Sequence, residues 1–170
     1  MIVTLIALTG LATLGAITVS SVQGGITSAT SEKAHAIAIY AAEAGAMSAM
    51  DYLAPVYTLA NHFSYVTRLS NINPEVPPGL PGNEKLPGVA GNVFSPEMQA
   101  WYRVTVLNNP TDPNFDSAAA EAADQEDSDG RINLLSQGFG PDGATATLEV
   151  QLWFDEPNNR FVVLSWREVE

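Results

Sequence analysis

Residues 1–22, MIVTLIALTGLATLGAITVSSV, contain no charged side chain. As a helix rising 1.5 Å per residue, such a run spans roughly 30 Å, about the hydrocarbon thickness of a bilayer. It can therefore cross a membrane. Thr4, Thr9, Thr13 and Thr18, with Gly10 and Gly15, make it less greasy than a lipid-facing span. Small and hydroxyl-bearing residues let helices approach closely, and the hydroxyls can return to their own backbone. The same helix is thus suited to packing against copies of itself.

No Lys or Arg precedes the run, whereas a secretory signal carries a basic region ahead of its apolar core and a small-residue cleavage site behind it. The reading is that a leader ahead of Met1 is removed. The first charges, Glu32 and Lys33, lie too far along to set orientation, so the leader would have set it. Of 170 residues, about 120 remain beyond the first 50 or so, enough for one head with a modest core. The absence of cysteine excludes disulfides, thiolate metal sites, thioether-bound haem and cysteine nucleophiles. Nineteen acidic against 7 basic residues, net −12, argue against a nucleic-acid partner, because that binding is driven by neutralising phosphates.

Gly24 and Gly25 each weaken a helix by about 1 kcal/mol relative to alanine, so a kink or local extension is expected there. From Glu32 to Met50 alanine dominates without proline, which predicts helix. Ile37, Tyr40, Ala41, Ala44 and Met47, with Tyr52 beyond them, recur at helical steps and mark the stripe on which a head should sit. Pro55 should end the helix near Leu53 or kink it; a kinked continuation to Leu69 is the expectation. Residues 71–99 carry 6 prolines and 4 glycines and read as a long loop.

Strand grammar begins at Ala100. Trp101–Leu107, Arg131–Gln137, Ala144–Phe154 and Arg160–Val169 read as four strands, joined by turns at Gly138–Gly143 and Glu156–Asn159. This predicts an antiparallel meander whose apolar face is covered by the long helix. Residues 111–129 hold 7 carboxylates and no base, and read as a solvated excursion with at most a helical turn near Ala118–Ala123.

Candidate sites are few. Within the acidic excursion Asp124, Asp127 and Asp129 are a weak calcium candidate, outweighed by the reading of a solvated loop with no metal. With Gly130 in the sixth place of an EF-hand loop, Gln125 falls first and Ser136 twelfth, neither a good carboxylate ligand. His35 and His62 are too far apart on the stem to pair on a metal and read as surface histidines. No hydroxyl has a base nearby in sequence and no glycine loop has the phosphate-binding form, so neither an enzyme nor a cofactor is expected. Trp101, Trp153, Trp166, Phe154 and Phe161 read as filling the space between sheet and helix, any left outside being a contact between subunits or an adhesive patch.

A charge-free opening helix, continuous with an alanine-rich half and followed by an antiparallel sheet, resembles a mature type IV pilin or pseudopilin. Ala41-Ala42-Glu43-Ala44-Gly45, Tyr102-Arg103-Val104-Thr105-Val106, Asp129-Gly130, Gly138 to Thr147 and Trp166-Arg167-Glu168 resemble the PilX-type pilins in particular. The resemblance implies an α+β, pilin-like fold: a hydrophobic assembly and transmembrane helix over 1–26, and a head over 27–170 holding the second half of the helix (27–69) and the sheet (100–169). It also implies an N-methylated Met1, residence in the inner membrane before assembly, and then a place in an extracellular filament on the bacterial surface. The partners would be copies of the chain in a helical polymer and the pilus assembly machinery. Met1, Thr4, Leu5, Leu8, Gly10, Leu11, Leu14 and Gly15 would line the filament core, and Gly24-Gly25 would be where the helix melts on assembly. Many major pilins carry a glutamate fifth in the mature chain; here the residue is Leu5, which is commoner in minor pilins or tip pseudopilins. The alternatives are thus a low-copy subunit that primes or tips a filament, and a membrane-anchored binding module.

Overall fold

The computed structural model describes residues 2–57, 76–113 and 127–169, with the backbone alone for 2–12. Helix α1 runs Ile2–Leu53, and four strands follow: β1 (Trp101–Asn108), β2 (Arg131–Phe139), β3 (Thr145–Asp155) and β4 (Arg160–Val169). The strands form one antiparallel meander in the order β1-β2-β3-β4, with α1 packed on it, so the expected α+β fold is the observed one. By its contacts the chain divides between Ala34 and His35.

Two details of the helix differ from expectation. The helix passes through Gly24-Gly25 unbroken, with no local extension. A Cβ at either glycine would meet nothing within 4 Å, so no neighbour competes with the helical conformation there. The helix also ends at Leu53, without running on through Pro55. Tyr57 N–H bonds back to the Leu53 carbonyl at 2.8 Å, closing a turn around Pro55, which has no N–H to propagate the helix. Residues 58–69 of the expected continuation lie outside the described residues.

The buried stripe of α1 is also displaced from the expected one. Ala38, Ala41, Ala42, Ala46, Ala49 and Leu53 are buried with Gly45, whereas Tyr40 and Met47 are 66% and 57% exposed. The reason is close approach. A Cβ at Gly138 of β2 would fall inside the backbone of Ala38 and Ala42, and one at Gly45 would lie 2.6 Å from Ser136 Oγ and 2.9 Å from the Tyr102 ring. Large side chains on that side would hold the helix off the sheet, so they face away.

Register sorts the sheet into two faces. Tyr102, Val104, Val106, Ile132, Leu134, Ala146, Leu148, Val150, Leu152 and Phe154 alternate inward and are buried. Of the aromatic residues expected in the core, Phe154 is buried and Phe161 packs against the cluster. The tryptophans are not core. Trp101 and Trp153 fall on the alternate, outward register, where Trp101 stacks on Phe139 at 3.7 Å. Trp166 belongs to the edge strand and is 38% exposed.

The proline-rich segment wraps the other edge. Asn83 bridges to Tyr102 of β1, Glu84 N–H donates to the Tyr102 carbonyl at 2.9 Å, and Val104 N–H donates to Asn83 Oδ1 at 2.7 Å. The Tyr52 and Tyr102 hydroxyls donate to the carbonyls of Pro78 and Pro81, tying the same segment to the helix and to the sheet. Among the described residues the loop reading of 71–99 holds, with a single turn of 3-10 helix at Pro96–Met98.

Candidate functional site

Two places carry chemistry the sequence singled out: the opening helix and the acidic connection between β1 and β2. In the helix, the side chains of Met1, Thr4, Leu5, Leu8, Gly10 and Leu11 lie outside the described residues. From Thr13 to Lys33 every residue is exposed, and Leu14, Ile17, Val22 and Ile26 are each more than 60% so. A Cβ at Gly15 would meet nothing within 4 Å. The hydroxyls do turn back on the helix: Thr18 Oγ1 donates to the Gly15 carbonyl at 2.8 Å, Thr27 Oγ1 to that of Gln23 at 3.0 Å and Thr30 Oγ1 to that of Ile26 at 2.9 Å. This satisfies the donors of three hydroxyls within the helix. Among the described residues, no helix is long and apolar enough to cross a membrane.

The acidic connection is not solvated at its two ends. Asp127 is fully buried, Asp112 nearly so, and Asp129 half-buried; one carboxylate oxygen from each lies within 4.8 Å of the others. Asp116, Glu121, Asp124 and Glu126 lie outside the described residues. The structure thus gathers Asp127 and Asp129 of the calcium candidate with Asp112, while Asp124 is not described. Linear spacing could not have chosen Asp112, which is 15 positions from Asp127.

Each of the three carboxylates accepts donors from the chain itself. Asp127 Oδ1 accepts the Gly130 N–H at 2.9 Å and the Asp129 N–H at 3.2 Å, and Oδ2 accepts the Tyr57 hydroxyl. Asp112 accepts the Ser128 N–H at 2.7 Å and its hydroxyl at 2.8 Å. Asp129 Oδ1 accepts Asn109 Nδ2 and the Arg131 N–H, both at 2.9 Å. Asn109 Nδ2 also reaches the Arg131 carbonyl at 2.9 Å, so the two ends of the connection are pinned together where β1 ends and β2 begins. Calcium needs six to eight oxygens with free lone pairs. Five of these six oxygens already accept N–H or O–H groups of the chain, which makes the trio a lock on the connection.

Tyr57 joins that lock to the core, its ring 4.6 Å from Phe154 and 5.2 Å from Phe161. Burial, above all, pushes the Asp127 carboxyl up to about 6, and the nearby Asp129 and Asp112 push the same way; the Tyr57 hydroxyl and Gly130 N–H partly offset this. Burial, with Asp127 beside it, pushes the Tyr57 hydroxyl far above the usual phenol range. Tyr57 therefore stays a donor at neutral pH, and Asp127 an ionised acceptor. Tyr57 was not legible in the sequence, since a tyrosine just past a proline carries no pattern that ties it to a carboxylate 70 residues away.

His35 is exposed on α1, as read, with Nε2 3.4 Å from Glu168 Oε1. His62 lies outside the described residues. The fold defines the class: a long helix on a four-stranded antiparallel meander. No protein-family model, no curated protein and no solved structure matches the chain.

Proposed function

We propose that this chain is a structural subunit of a type IV pilus-like extracellular filament, polymerising through its opening helix. The observation that carries the reading is the helix from Thr13 to Lys33, exposed on every side although Leu14, Ile17, Val19, Val22 and Ile26 are apolar. Apolar side chains distributed around a helix call for cover on all sides. Copies of the same helix supply it: Gly15, Gly24 and Gly25 leave room for close approach, and the Thr18, Thr27 and Thr30 hydroxyls, bonded to their own backbone, need no partner from a neighbour. Before assembly the inner membrane would hold the helix, and the assembly machinery would extract it. The work is polymerisation, with no reaction and no cofactor.

The test is to shear filaments from the cell surface and identify their repeating unit by cryo-electron microscopy and mass spectrometry. The reading expects this chain along the shaft with its opening helix inside, and expects Leu14→Asp to abolish filaments while the head still folds. Normal piliation in that variant would sink the core-helix claim. Leu5 favours the low-copy alternative, which predicts only trace amounts of the chain in the shaft. An anchored binding module predicts that all of it stays monomeric in the membrane.

A further inference from the structure

We propose that the face of the sheet turned away from α1 docks a second copy of this chain, which it meets on the outer side of that copy's helix between Tyr40 and Asp51. The inference rests on the polymer reading and adds to it a contact between heads.

Four of the chain's 7 basic residues, Arg103, Arg131, Arg160 and Arg167, fall on the outward register of this one sheet face, as do Trp101 and Trp153 of its 3 tryptophans. Arginine and tryptophan are the residues on which protein interfaces most depend. The arginines are layered. Arg160 is 67% exposed over Asp155 at 13%, Arg167 66% over Glu149 at 26%, and Arg131 49% over Asp129 at 24%. Arg160 and Arg167 donate to their deeper carboxylates, Arg131 lies 4.0 Å from its own, and each presents its remaining donors outward, since a guanidinium has five and these carboxylates take at most two. On the fourth, Arg103 is held by Glu84 at 2.7 Å and lies 5.7 Å from the centre of the Trp101 ring, itself stacked on Phe139. Side chains already fixed in this way lose little freedom on binding.

Those deeper carboxylates also decide the kind of partner. With Arg131, Arg160 and Arg167 balanced from beneath and Arg103 by Glu84 beside it, and the chain at −12, a polyanion would gain little from counterion release. A protein surface that offers carboxylates together with apolar bulk fits better. The outer side of α1 offers both: Tyr40, Glu43, Met47 and Asp51 follow one another at steps of three and four, and Tyr40 and Met47 are 66% and 57% exposed. Glu43 and Asp51 supply the carboxylates, and Tyr40 and Met47 meet the tryptophans. Because one surface meets a different surface of the next copy, each copy keeps a free surface of either kind, and the contact can repeat along a polymer.

The experiment uses the full chain in detergent, followed by sedimentation, with circular dichroism to confirm folding. Wild type should self-associate, and raising salt from about 0.1 M to about 1 M, which contracts the screening length from ~10 to ~3 Å, should weaken it. Arg160→Glu with Arg167→Glu, and separately Glu43→Lys with Asp51→Lys, should each associate at least about tenfold more weakly alone. Mixing the two variants should restore association, since each keeps the surface that the other has lost. Either folded variant associating as wild type, or a mixture that stays apart, overturns the proposal. If this salt-dependent association is found and sheared filaments lack the chain, the polymer reading alone fails.

Discussion

Ser136 Oγ of β2 donates to the Ala42 carbonyl of α1 at 2.6 Å, bonding a buried strand side chain directly to helix backbone. Two residues further along β2, Gly138 lies against the backbone of Ala38 and Ala42, where any Cβ would overlap it. The helix is seated on the sheet backbone to backbone, with alanines as the spacers. Gly138→Ala should therefore be among the most damaging single-methyl additions in the chain, losing about 3 kcal/mol or more in chemical denaturation, the upper end for overpacked cores. Wild-type stability in that variant would refute the close seating.

Gly24 and Gly25 are the converse case. Both lie in unbroken helix with open space where a Cβ would go, so alanine is free to act through propensity alone. Gly24→Ala and Gly25→Ala should each stabilise the helix by about 1 kcal/mol, measured as far-UV circular dichroism on heating. If assembly melts the helix at this place, the double variant should also give fewer filaments.

Strand grammar was legible because alternation over eight to eleven residues is a long signal: all four strands stand within a residue or two of their expected bounds, the largest difference being β2, which takes Gly138 and Phe139 from the expected turn because both pair with β3. The helix was legible from alanine content, but not its inward face. Periodicity favours the stripe with the largest apolar residues, Tyr40 and Met47, whereas the sheet selects the side that lets backbones approach, which depends on Gly138 nearly a hundred residues away. The acidic trio fails to show in sequence for a similar reason. Asp112, Asp127 and Tyr57 come together only through the ends of three different elements, and a run of carboxylates reads as solvated until a core residue is seen to donate to one of them.

That donor can be tested by removal. The Tyr57 hydroxyl bonds the buried Asp127 carboxylate, and its hydrogen bond favours the ionised form. Tyr57→Phe should lose roughly 1.5–3 kcal/mol at pH 8, the range for a hydrogen bond to a charged group. Near pH 4.5, where Asp127 is mostly protonated with or without the hydroxyl, the loss should shrink to about 1 kcal/mol. Urea denaturation of both proteins at the two pH values gives the comparison, and an equal loss at both would mean that the hydroxyl does not serve the charged carboxylate.

Asp127 itself predicts a pH dependence of unusual sign. Its carboxyl is pushed up to about 6 in the folded chain from an ordinary 3.8, so between those values the folded state binds the proton that the unfolded state has released. Its contribution to stability is fullest below about pH 3.8 and is lost as pH rises through about 6, a change of the order of 3 kcal/mol. A carboxylate held by a salt bridge behaves in the opposite way. Asp127→Asn keeps an oxygen for the Gly130 and Asp129 N–H groups while removing the titration. The stability of wild type relative to this variant should accordingly fall between pH 4 and pH 7, followed by chemical denaturation across that range. A difference that stays level, or that grows as pH rises, would show that Asp112 and Asp129 do not disfavour the charge at Asp127 and that its burial is offset by the donors around it.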